Sequence, residues 1–208
     1  MKVFLTGTDT HVGKTYVAAL LIRALRQKGV DCVGMKPICC GDRKDAEILR
    51  DAGDQRLPLN EVNPVWLRTP AAPYTAALVE EREIDLSRIK ETFENVKRRH
   101  AAFVVEGVGG WRVPITANYY MSDLVNDLGL PVVVVVANRL GALNHAILTV
   151  EAIRHQGLTC AGLILNDTAV QADEMSSVAT TTNGAVLESL VAAPILFTIS
   201  YEQRVLSL

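Results

Sequence analysis

The 208-residue sequence predicts an α/β fold, a mostly parallel central β-sheet flanked by helices on both faces. Three observations carry the prediction. Short apolar runs alternate with amphipathic stretches along the whole chain, the pattern of strands joined by helical crossovers. Several of these runs, such as the valine run at residues 132–137, are nearly continuous, as strands covered on both faces should be. Glycine-rich or polar segments follow the ends of successive strands, where open parallel sheets bind their ligands.

The first strand is predicted over residues 2–6. The segment that follows reads "GTDTHVGKT" over residues 7–15. A phosphate-binding loop has the form G-x-x-x-x-G-K-[ST], whereas five residues rather than four separate Gly7 from Gly13. The mechanics of such a loop survive the extra residue. Glycines let successive backbone N–H groups turn inward, and the positive end of the helix predicted over residues 14–27 points at the same place. Lys14 can neutralise outer phosphates and the Thr15 hydroxyl can ligate Mg²⁺. The plainer alternative is a tight strand-to-helix turn with a solvated lysine. Because G-K-T follows an N-terminal strand and opens an apolar-periodic helix, the phosphate reading is preferred. The fold class is accordingly P-loop NTPase-like, three layers in α/β/α order.

The second strand, over residues 31–36, ends in Lys36, which reads as an anion contact beside the loop rather than a solvated strand-end lysine. A helix over residues 45–52 follows. Its Asp45 is either a Mg²⁺ carboxylate or simply a helix N-cap. Residues 53–78 are proline-rich and lack periodicity, and read as an excursion over the sheet rather than a second domain. After a helix over residues 85–99, the strand at residues 101–106 closes on Glu106 and runs into Gly107-Val108-Gly109-Gly110. A carboxylate there has little structural reason to be present, which favours a metal role. A helix over residues 121–127 leads to the strand at 132–137 and then Asn138-Arg139. Asn144 opens the next helix, over residues 144–156, where asparagine caps well. The strand at residues 160–165 runs into Asn166-Asp167, and a helix over 182–190 precedes a last strand at 194–199. Gly29, Gly129 and Gly157 follow helical stretches as C-terminal caps. The whole of residues 1–208 reads as one domain.

Net charge is −2 with no basic run, which disfavours nucleic-acid binding through a broad electrostatic face. The longest apolar run is far too short to span a bilayer, and Met1-Lys2 leads directly into a strand-like run rather than a leader. The expectation is a soluble, cytoplasmic protein that engages neither membrane nor nucleic acid. Its four cysteines, Cys32, Cys39, Cys40 and Cys160, form no C-x-x-C pair and read as reduced thiols rather than disulfides or metal ligands.

The motifs occur in the order G-T-D-T-x-V-G-K-T, M-K-P, V-N-P at Val62-Asn63-Pro64, V-E-G-x-G-G-W, L-G-x-L-N-H-A-x-L-T and N-D. In that order the sequence resembles the dethiobiotin synthetases from residue 1 to about residue 167. The loop alone would indicate only a wider class of P-loop enzymes, but the ordered combination is highly specific. The resemblance implies an ATP- and Mg²⁺-dependent enzyme of biotin biosynthesis that closes a ureido ring on 7,8-diaminopelargonic acid with CO₂. The substrate amine captures CO₂ as a carbamate, which attacks the γ-phosphate, and the neighbouring amine then closes the ring and expels phosphate.

By the same resemblance, Lys14, Lys36 and Thr10 serve the reaction. Asp9, Thr10, His11, Val12, Gly13, Lys14, Thr15 and Tyr16 hold the nucleotide, with Asn166 and Asp167 at its adenine end. Thr10, Lys36, Cys40, Val108, Gly109, Gly110, Leu143 and Asn144 contact the diamine, and Thr15, Asp45 and Glu106 ligate Mg²⁺. Leu143 and Asn144 are implied to reach the substrate carboxylate across a homodimer interface.

Three departures stand against the family pattern. Cys40 replaces the usual serine of K-P-x-x-S-G, and a thiol donates hydrogen bonds weakly. His11 occupies a variable loop position. The customary P-x-L-G-E-I-P reads Pro194-Ile195-Leu196-Phe197-Thr198-Ile199-Ser200 here, so discrimination among nucleoside triphosphates is expected to be weaker than the family norm. Three other readings compete. A cobyrinic-acid synthase-like ATPase normally adds a glutaminase domain, for which there is no room. A partition ATPase resembling ParA and MinD usually has a second lysine early in its loop, where this chain has Thr8. A nucleotide holder without turnover fits poorly with Lys14, Lys36, Asp45 and Glu106 all present.

Overall fold

A computed structural model of the chain describes residues 1–169 and 174–207. In chain order the elements begin with β1 (Lys2–Gly7), α1 (Lys14–Gln27), β2 (Cys32–Met35), β3 (Ile38–Cys40) and α2 (Lys44–Ala52). There follow α3 (Leu59–Val62), β4 (Val65–Leu67), α4 (Pro73–Val79), α5 (Leu86–Arg99), β5 (Ala102–Gly110), β6 (Pro114–Thr116) and β7 (Tyr119–Tyr120). The remainder are α6 (Met121–Leu128), β8 (Val132–Ala137), α7 (Ala142–His155), β9 (Cys160–Asn166), α8 (Glu174–Leu190) and β10 (Ile195–Ile199).

Six strands make the central sheet in the order β10-β9-β8-β1-β5-β2, and every pair in it is parallel. The chain builds one side of β1 through β2 and β5, then crosses to build the other through β8, β9 and β10. All carboxyl ends therefore face one rim, with β1 and its loop near the middle, where such sheets place ligands. The valines of β8 are buried on both faces, Val132 and Val134 to Val136 completely so, which is why that run shows no alternation. Phe93 of α5 meets Phe103 of β5 edge-on at 5.5 Å, an arrangement that adds about 0.5–1.5 kcal/mol beyond area burial. Of the helix ends, Asp85 caps α5 through its side chain, which accepts from the Arg88 N–H at 2.8 Å.

The structure corrects three expectations and gives form to the segment read as an excursion. Residues 53–78 hold α3, β4 and most of α4, and β4 pairs in parallel with β3 as a separate two-stranded sheet. These elements are too short to print a period on the sequence. The glycine segment after Glu106 is strand rather than loop: Leu5 pairs with Glu106 and Gly7 with Gly110, so β5 bulges between them. Gly109 takes φ +63° within that bulge, a conformation glycine adopts without strain. The helix expected from residue 144 starts at Ala142, with Gly141 as its cap at φ 87°, so Asn144 caps nothing. The last helix begins at Glu174, not residue 182. Among the described residues, no helix is long and apolar enough to cross a membrane.

Candidate active site

The loop after β1 is fixed at both ends. The Thr8 N–H donates to the Val135 carbonyl at 3.0 Å and the Val17 N–H to the Gly13 carbonyl at 3.0 Å. Within it His11 and Gly13 have positive φ, 59° and 88°, a change of backbone hand of the kind from which anion-binding turns are built. Gly13 is required twice over. A Cβ there would stand 2.2 Å from the Asn166 amide nitrogen, besides the strain of its φ. Asp9, Thr10 and His11 are exposed at the mouth, while Val12 is buried beneath.

Four charged side chains converge under this loop. Lys14 is buried and donates to the Asp9 carbonyl at 2.9 Å. Burial, then the neighbouring Lys36 ammonium, lowers its pKa to about 8, which an anionic partner beside it would oppose. Lys36 is buried at the end of β2 and donates to Glu106 at 2.5 Å, to Asp45 at 2.9 Å and to the Gly107 carbonyl at 3.3 Å. Burial alone would push this ammonium toward neutrality, but Glu106 and then Asp45 more than offset it and its pKa rises. Burial likewise opposes ionisation of Asp45, yet the Lys36 charge holds its carboxyl below the usual range. Asp45 lies in the first turn of α2 but caps nothing, so its open alternative as an N-cap is removed.

Glu106 is 1% exposed. Its Oε1 accepts from the Thr15 hydroxyl at 2.8 Å and from Lys36, whereas its Oε2 is buried with no hydrogen-bond partner. A buried carboxylate oxygen without a partner is costly. Two carboxylates and a hydroxyl are also a hard-oxygen donor set. The residues thus fit a Mg²⁺ ion, although among the described residues no cluster of three His, Cys, Asp or Glu is present. A cation here must take its remaining oxygens from phosphate and water, as Mg²⁺ habitually does.

On one side of this cluster lie Val108, Gly109 and Gly110, half-buried. Gly110 lies against the loop, where a Cβ would stand in ordinary contact with the Gly7 and Thr8 carbonyls at 3.5 and 3.7 Å. Cys40 ends β3, half-buried, and burial raises its thiol pKa to about 11. All four cysteines are free. Leu143 and Asn144 lie in the first turn of α7, half-buried and exposed respectively, and have no contact with the charged cluster among the bonds described.

At the far end, Asn166 donates to the Val12 carbonyl at 3.0 Å, while its side-chain oxygen is buried and unpaired. Asp167 accepts from Asn138 at 2.8 Å, and Asn183 of α8 donates to the Asn138 oxygen at 3.0 Å. Tyr16 donates to the Gln203 carbonyl, so the chain after β10 closes against the first turn of α1. Sequence reasoning missed Arg43, Asn183 and the Tyr16 link entirely. Nothing local marks a residue whose partner lies 187 positions away. Asn63, buried beside Lys36, stood in the V-N-P motif but was given no role.

The family model described as "AAA domain" matches residues 1–205. The sequence is 46% identical to the ATP-dependent dethiobiotin synthetase BioD of Akkermansia muciniphila, covering 92% of this chain and 88% of that one. With the protein of that name from Anaeromyxobacter dehalogenans it shares 49% identity, covering 82% and 78% of the two chains. For that of Bacillus velezensis the figures are 38%, 93% and 83%. Solved structures of similar fold include the MinC:MinD cell division complex of Aquifex aeolicus, at TM-score 0.62, 16% identity and 97% and 82% coverage. The ParA-family ATPase of Chlorobium tepidum gives TM-score 0.58, 13% identity and 97% and 84% coverage. At these identities the structural likeness establishes the P-loop NTPase-like fold alone.

Proposed function

The chain belongs to the ATP-dependent dethiobiotin synthetase family, and on that premise we propose that it forms dethiobiotin from 7,8-diaminopelargonate, CO₂ and ATP. It is an ATP-dependent ligase of biotin biosynthesis. The single observation that supports the finer mechanism is the Lys36 ammonium held between two carboxylates beneath a phosphate loop. Its three N–H donors are shared among Glu106, Asp45 and the Gly107 carbonyl, and turning one of them to an anionic oxygen would let it neutralise charge as the reaction develops.

In this scheme one substrate amine adds to CO₂ and loses a proton, giving a carbamate. A carbamate oxygen then attacks the γ-phosphorus of ATP and ADP leaves. The second amine attacks the carbonyl carbon, loses a proton and expels phosphate, closing the ring. Such transfer depends on positioning and charge neutralisation more than on covalent catalysis by the protein. The loop N–H groups from His11 to Thr15 and the Lys14 ammonium hold the phosphates. Lys36 stabilises the carbamate and the developing charge on the γ-phosphoryl group. Thr15, Asp45 and Glu106 would hold Mg²⁺, which when bound supplies further charge neutralisation to the phosphates. Val108, Gly109 and Gly110 offer backbone against which the diamine lies closely, with Thr10 and Cys40 at its edges. Asn166 offers its unpaired oxygen to the base, with Asp167 alongside.

The substrate carboxylate is assigned to Leu143 and Asn144 of a second copy, at a helix N-terminus whose N–H groups favour an anion. The test is isotopic. With C¹⁸O₂ and ATP, the inorganic phosphate released should carry one ¹⁸O derived from the carbamate. Phosphate free of label while dethiobiotin forms would rule out the mixed anhydride.

A further inference from the structure

Asn63 lies away from the central sheet, between α3 and β4, yet is 2% exposed. All its side-chain hydrogen-bonding atoms are in use. The amide nitrogen donates to the Lys36 carbonyl at 2.9 Å and to the Val65 carbonyl at 2.7 Å. The oxygen accepts from Arg43 Nε at 3.0 Å. Arg43 in turn grips the Asn63 and Leu59 carbonyls at 3.0 and 3.2 Å and lies over the Trp66 ring at 5.4 Å. The Lys36 N–H completes the tie by donating to the Val62 carbonyl at 2.7 Å.

The two backbones joined in this way are those that carry the central ion pair. Lys36 follows β2, and Arg43 immediately precedes α2, two residues before Asp45. Their ammonium and carboxylate meet at 2.9 Å. A loop that needed only its own carbonyls satisfied would have no use for a planar fork reaching across to the start of another helix. We propose that Asn63 and Arg43 are a positioning pair that acts through Lys36, setting its ammonium against Asp45 and Glu106. The inference rests on the assignment of Lys36 to the reaction. A displacement near 1 Å of a reacting group costs on the order of a hundredfold in rate, so a tie of this kind governs turnover rather than nucleotide binding.

The test compares Asn63→Ala, Arg43→Ala, Arg43→Lys and the double alanine variant with the unaltered protein. Because Asn63→Ala strands two buried carbonyls, Arg43→Ala serves as the companion that keeps the test open should the former not fold. Expected is a fall in kcat of about tenfold to a hundredfold, the cost usual for outer-shell partners, with KM for ATP within about twofold, since ground-state binding is untouched. Arg43→Lys should not restore the rate, for lysine lacks the fork, and the double variant should lose no more than the worse single one. In a crystal structure of Arg43→Ala the Lys36–Asp45 contact should open beyond ion-pair reach. Unchanged kcat per folded molecule, with only a lower melting temperature, would overturn the proposal, as would an intact Lys36–Asp45 contact in that crystal. Should the unaltered protein make no dethiobiotin, the reading of the reaction fails, and the crystallographic comparison still decides the positioning role.

Discussion

Lys36 and Glu106 are 4% and 1% exposed and touch, so neither can lose its partner cheaply. Lys36→Met should destabilise the protein by about 3–5 kcal/mol, because it leaves a buried carboxylate unpaired. Lys36→Met combined with Glu106→Gln should recover most of that stability while remaining inactive, as read by urea unfolding and product assay. The sign of the pH dependence follows from the pKa shifts. Lys36 is raised above its ordinary 10.5, so its contribution is full below that pH and disappears in stronger alkali. Asp45 is lowered from 3.8, so its contribution holds above that pH and disappears in acid. Lys14 behaves oppositely, since its pKa is depressed to about 8. Lys14→Met should stabilise the protein assayed without nucleotide at pH 7 by about 1–3 kcal/mol and abolish the rise in melting temperature caused by ATP. Lys36 and Glu106 were legible at strand ends, and Lys14 and Asp45 at helix starts. Their mutual contact was not, since Lys36 and Glu106 are 70 positions apart.

At the scale of elements, the strands buried on both faces were legible because continuous valine and isoleucine runs have no other use in a parallel sheet. The pairing of β3 with β4 was hidden, for three-residue strands owe their existence to a tertiary partner rather than to propensity. The extension of β5 was hidden as well, because glycines that usually mark a loop here allow a bulge beside Gly7. The segment behind β10 closes against α1 through Tyr16, and Asn183 of α8 bonds Asn138, so the proposed nucleotide end rests on these elements. Tyr16→Phe removes the link to Gln203 and should raise KM for ATP roughly two- to tenfold, the worth of one net hydrogen bond, with kcat unchanged. Because Phe197 and Thr198 stand where the resemblance to the family would place glycine and glutamate, the preference for ATP over CTP and GTP should be smaller than in a protein with G-E-I-P. Equal preference ratios in competition assays would refute that expectation.

For the whole molecule, the assigned carboxylate site requires a second copy. Sedimentation at working concentration should give a particle of twice 22.6 kDa. Mixing inactive Lys36→Ala with inactive Asn144→Ala should restore turnover, because each mixed dimer contains one site with both residues intact. No restoration in verified mixed dimers would place Asn144 outside the shared site. The central claim is that phosphoryl transfer here is spent on ring closure. Incubation with 7,8-diaminopelargonate, bicarbonate, Mg²⁺ and ATP tests it most directly, with dethiobiotin followed by mass and ADP in the same samples. Dethiobiotin and ADP should appear one for one, and neither should form when the diamine is left out. Steady ADP release that ignores the diamine, with no ring-closed product, would contradict the account.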